Sequence, residues 1–140
     1  LIIFSMWWVY FDRPVHDLLT SSRKAIVWGY GHYLVFAAAA AVGAGLAVNV
    51  DYATHHAKIG AGAAGAAVAI PVAIYLLCLW FLHDRPEYRA TRAYGPIAAG
   101  AVLLAPLTGY GVLMTGIILA TLVAVKLVMR RGANGLCDSR

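Results

Sequence analysis

Charge is scarce in this sequence, and acid is scarcer than base. Only 12% of the 140 residues are charged, six Asp or Glu against eleven Lys or Arg, where a soluble domain carries about 25%. A soluble chain of this length needs more polar surface, whereas a helical bundle in lipid is apolar outside as well as in. Cysteine is equally sparse. Cys78 lies in an apolar run and Cys137 in the tail, which gives no disulfide framework and no metal spacing, and predicts two reduced thiols. Enzyme signatures are missing too: no Gly-rich phosphate loop, no G-x-S-x-G elbow, no H-E-x-x-H, and no membrane-embedded Ser-His or paired Asp with usable spacing. The sequence therefore predicts neither catalysis nor a cofactor. Its +5 formal charge sits beside apolar runs and forms no stripe, which argues against nucleic acid as a partner. No basic n-region or cleavage site marks a signal peptide, and the chain opens on Leu1 inside an apolar run, so it reads as the C-terminal part of a longer protein.

What is abundant is apolar sequence, 62% of the chain. Crossing a hydrocarbon core about 30 Å thick takes roughly 20 residues of helix. On that basis 1–11 is the end of a span, 25–48 and 59–82 are full spans, and the run from Pro96 to Met129 is too long for one crossing. Pro106, Gly109 and Gly111 mark a turn in it, dividing it into a short span at 94–107 and a fuller one at 110–129. The expected architecture is an all-α polytopic transmembrane bundle of about four spans plus the end of another, in one integral-membrane region over 1–140.

Basic residues give its orientation. Arg13, Arg23 and Lys24 fall in one loop, only Lys58 in the next, and Arg85, Arg89 and Arg92 in the third, while the 130–140 tail carries Arg130, Arg131 and Arg140. The alternation predicts cytoplasmic loops at 12–24 and 83–93 and a cytoplasmic C-terminus, with Arg13, Arg85, Arg130 and Arg131 as anchors. Trp8, Asp12, Arg13 and Pro14 recur at one constant offset as Trp80, Asp84, Arg85 and Pro86. That offset matches a repeated helix pair of the kind found in transporters, although two copies also fit coincidence. In either case the motif ends a helix: Trp in the interfacial belt, Arg on the cytoplasmic side, and Pro discouraging helix before it. Asp12 and Asp84 are expected to pair with nearby Arg in water for little energy.

"WWVYFD" closing one span, "WGYGHYLVFAAAAAVGAGL" (Trp28 to Leu46) opening the next, and an Ala/Gly-rich third span ending in Trp and a basic loop resemble the bacterial low temperature requirement protein A family. The resemblance covers nearly the whole chain and rests most on Trp7 to Asp12 and Tyr30-Gly31-His32. It implies a multi-pass protein of the bacterial inner membrane, in a family named for a growth phenotype in the cold. It implies no catalytic residues.

Four sets of residues are candidates for function. His32 lies roughly 10 Å into its span, where an ionisable side chain suggests a proton relay or ligand contact. Its neighbours Trp28, Tyr30 and Tyr33 also suit a plain interfacial hydrogen bond. Tyr75 and Thr115 can add polar groups to the same substrate or proton path, or simply bond between helices. Asp51, His55 and His56 offer three weak metal ligands, Asp51 and His55 at helical i, i+4 spacing, against the simpler alternative of a solvated loop. Gly43, Gly45, Gly60, Gly62 and Gly65 suit close helix packing, within the chain or in an oligomer. Pro71 should free the carbonyl of Ala67 and kink its helix, and Lys126 should snorkel to the headgroups.

Two functions from different classes follow. One is solute or ion transport, with His32 nearest the path; the other is a scaffold, sensor or accessory subunit acting through helix packing on a membrane-protein partner or a second copy. The lipid bilayer is the partner in both.

Overall fold

The computed structural model describes residues 1–12, 22–84 and 93–138, and the side chains of all of these but 22–25, 83–84 and 132–138. Five helices account for them: α1 (Ile2–Phe11), α2 (Ser22–Ala53), α3 (Ala61–Leu79) running into a π-helical turn at Trp80–Asp84, α4 (Tyr94–Leu104) closing in a 3-10 turn at Ala105–Thr108, and α5 (Gly111–Asp138). The described residues contain no strand. Ile26–Ala53, Ala61–Leu82 and Gly111–Arg131 are long and apolar enough to cross a membrane, while Ile2–Phe11 and Tyr94–Thr108 are shorter. The molecule is an all-α bundle of the membrane kind. Arg13 and Arg85 lie outside the described residues.

The long C-terminal apolar run breaks where its turn residues fall. Pro106 enters the 3-10 turn in its first positions, and Gly109 closes that turn at φ 76°, a left-handed conformation that costs other L-residues about 1–2 kcal/mol. Helix α2 runs past the expected end at Val48 because Asn49 is absorbed into the packing. Its Nδ2 donates to Gly45 O in the turn before (2.8 Å) and to Ala64 O across on α3 (2.6 Å). The helix stops at a Schellman cap: His55 N–H donates to Tyr52 O and His56 N–H to Asp51 O, with His55 itself at φ 61°. Glycine usually takes that position, and histidine is among the few residues that tolerate it.

Helix α3 is the hub of the bundle, packing on α2, α4 and α5. Val42, Val68, Val72, Val102 and Leu119, drawn from four helices, are each 0% exposed. Small residues let the backbones approach. A Cβ built on Gly45 would collide with the carbonyl of Ala67 and lie 3.0 Å from Val68 N, and one on Gly111 would lie 2.8 Å from Gly65 Cα. Ala67 O is the carbonyl that Pro71, having no N–H, leaves without its helical donor. The freed carbonyl thus faces the Cα of Gly45, where a weak Cα–H···O contact can form. It is used in packing α2 on α3.

Candidate functional site

Short helix α1 gathers the polar groups. Its residue Asp12, the helix C-cap in right-handed conformation, is held by α5. Lys126 Nζ donates to Asp12 Oδ2 at 3.3 Å, Arg130 Nη1 lies 3.1 Å from Oδ1, and Arg130 Nη2 donates to the Asp12 carbonyl. Lys126 and Arg130 are one helical turn apart and so share a face of α5. A carboxylate at a helix C-terminus meets the negative end of the helix dipole; two cations offset both, and the guanidinium also takes up a terminal carbonyl that has no helical donor.

This clasp corrects two expectations from the sequence. The Asp12 side chain is only 6% exposed and Lys126 13%, so the pair is withdrawn from water and not a surface contact of small value. Lys126 turns inward to Asp12 where snorkelling to headgroups was expected. The reason is geometric: α1 ends beside the last turns of α5, close enough for a carboxylate to satisfy the ammonium before the lipid boundary does. Of the expected anchors on α5, Arg130 serves the clasp with half its side chain exposed, and Arg131 is exposed.

Two residues back along α1, Tyr10 meets His32. The phenol ring stands edge-on to the imidazole at 5.8 Å, Trp28 lies 4.0 Å from it and Phe36 6.1 Å. His32 is buried, with Nδ1 2.7 Å from Trp28 O. A carbonyl can only accept, so Nδ1 carries a proton, and in the neutral ring the basic lone pair is on Nε2. A further turn back, Met6 O accepts a 2.9 Å hydrogen bond from the buried Tyr75 hydroxyl on α3. Thr115 on α5 is fully buried, and its Oγ1 has no hydrogen-bond partner among the described residues. Its neighbour Gly116 faces Leu1 and Ile2 at the start of α1.

The candidate path residues are thus reached from one short helix: Tyr75 at Met6, His32 at Tyr10, and the clasp at Asp12. The sequence alone did not show this, because α1 reads as a leftover apolar run and its partners lie far along the chain.

The loop candidates do not converge. Among the described residues no group of three His, Cys, Asp or Glu side chains is placed to hold a metal ion, and Asp51, His55 and His56 are not drawn together as one. The reason is the Schellman cap: Asp51 and His55 lie on either side of the helix end, so their i, i+4 spacing no longer puts them on one helical face. His56 Nδ1 is 2.9 Å from Thr54 Oγ1. The five small-residue positions also differ. Gly45 and Gly65 lie at helix crossings, Gly62 is in ordinary contact with Pro106, and Gly43 and Gly60 face open space. Gly111, which meets Gly65, was expected from the sequence as a turn residue and not as a packing position.

Comparison with curated proteins and with solved structures gives no match. Residues 1–130 match the family described as Bacterial low temperature requirement A protein (LtrA). Nearly the full length is covered, so this chain belongs to the LtrA family.

Proposed function

We propose that this LtrA-type chain is a multi-pass protein of the bacterial inner membrane that moves a solute or an ion, with its polar path along α1. The observation that carries this reading is the withdrawal of ionisable side chains from water along one helix: His32 among aromatic rings, and Asp12 held by Lys126 and Arg130. Ionisable groups inside a membrane bundle are costly and by default point to a path for ions, protons or substrate. Tyr75 and Thr115 add hydroxyls in the same region of the bundle, one bonded to α1 and one buried on α5 beside the start of α1.

The test is labelling with a water-soluble thiol reagent at His32→Cys, Tyr75→Cys and Thr115→Cys, one at a time. Labelling at any of these sites from either side of the membrane supports a path, and protection of all three counts against it. His32→Ala should abolish growth in the cold together with any measured flux; growth and flux at the level of the unaltered protein would remove His32 from the path.

A second reading, a non-transporting scaffold or accessory subunit, is favoured by the backbone contacts at Gly45–Ala67 and Gly65–Gly111. Such dry crossings suit a rigid packing element. Labelling separates the two readings, since a scaffold predicts protection at every buried position.

A further inference from the structure

We propose that the junction of α1 and α5 is a binding site for an anionic phospholipid, with the phosphodiester on Arg130 and Arg131 and the acyl chains on the exposed rings of α1. The first observation is charge. Among the described residues, Asp12 brings one negative charge against the positive charges of Lys126 and Arg130, and Arg131 follows next in sequence with its side chain exposed. Asp12 and Lys126 are nearly buried, while the Arg130 side chain is 53% exposed, so the surplus appears on the outer edge. A guanidinium has five N–H donors. Asp12 engages the two terminal nitrogens from one side, which fixes the plane of the fork and leaves its outer edge for a second oxyanion. Arg131 is exposed and makes no ion pair among the described residues.

The second observation is the exposed apolar surface on the same two helices. Phe11, next in sequence to Asp12, is 63% exposed and Trp7 is 59% exposed, their rings 5.2 Å apart. On α5, Leu127 lies one turn before Arg131 on the same face and is exposed, as is Val128. Guanidinium groups bordering exposed aromatic and aliphatic side chains match a lipid, with its anionic head joined to hydrocarbon, better than a free anion, which would leave the rings unused. Bacterial membranes present phosphodiester headgroups at this boundary, and a basic residue there adds about fivefold to binding.

The experiment uses the whole chain in vesicles of phosphatidylcholine alone or of equal parts phosphatidylcholine and phosphatidylglycerol, with one lipid at a time carrying bromine to quench tryptophan. Brominated phosphatidylglycerol should quench more strongly than brominated phosphatidylcholine, and Trp7→Phe should remove the difference. Arg131→Ala, outside the clasp and so harmless to folding, should weaken the preference roughly fivefold. Arg130→Lys, which keeps charge but loses the fork, should weaken it as well. Equal quenching by the two lipids, a difference that survives Trp7→Phe, or a preference unchanged in both arginine variants overturns the proposal. Displacement by inorganic phosphate at constant ionic strength also overturns it, by making the site one for free anions.

Discussion

Gly45 and Gly43 are two positions apart on one helix, yet adding a methyl group should have opposite effects. At Gly45 the new Cβ meets the backbone of α3, which cannot move aside as a side chain can; Gly45→Ala should cost about 1–3 kcal/mol. At Gly43 nothing lies within reach, and removing glycine from a helix interior should gain up to about 1 kcal/mol. Thermal unfolding in detergent should move in opposite directions for the two. His55 is a third such case. It sits at positive φ in the cap of α2, so His55→Gly should raise stability by up to about 1 kcal/mol, read in the same melt. For Asp12, a double-mutant cycle with Asp12→Asn and Lys126→Met should give a coupling above about 1 kcal/mol, beyond the range of exposed pairs. A coupling near zero would show that the clasp contributes nothing.

Helices α2 and α3 are joined by a proline and a glycine on opposite sides of one contact. Pro71 removes a donor, Ala67 O loses its partner, and Gly45 gives that oxygen somewhere to point. Pro71→Ala restores an N–H four residues after Ala67, which should draw the carbonyl back into its own helix and loosen the crossing. Pulsed EPR between spin labels at Val50 and Ile70, both exposed, should then show a longer or broader distance. Tyr75 does comparable work between α3 and α1. Tyr75→Phe removes one buried hydrogen bond, worth about 1 kcal/mol, and should speed hydrogen exchange in α1 more than in α2. The paired Trp-to-Asp motifs also take different backbone forms. The first ends an ordinary helix at Asp12, whereas Trp80–Asp84 is a π-helical turn, with Trp80 packed on Gly95 and Leu82 on Gly31. The same residue types therefore serve two different junctions.

At the scale of the whole molecule, the orientation proposed from the basic loops predicts that a reporter fused after Glu87 stays in the cytoplasm; a reporter found outside the cell reverses the bundle. All-α architecture, the apolar runs and the family were legible in the sequence, because composition and span length reflect the solvent each residue must meet, and these need no knowledge of neighbours. The break near Gly109 was legible for a local reason, since only glycine enters that turn without strain. The roles of Asp12 and Lys126 were not legible. They lie at opposite ends of the chain, and nothing local distinguishes a carboxylate in water from one held by an ammonium and a guanidinium. Nor could the pattern separate Gly45 from Gly43, because a glycine matters only if another backbone comes close. What the sequence determined by itself is a set of apolar helices bound for a membrane, since the hydrophobic effect and backbone hydrogen bonding act on each segment alone. What only the tertiary structure decided is that short α1 ties His32, Tyr75 and the Asp12 clasp together, because those distances arise only once the helices have packed.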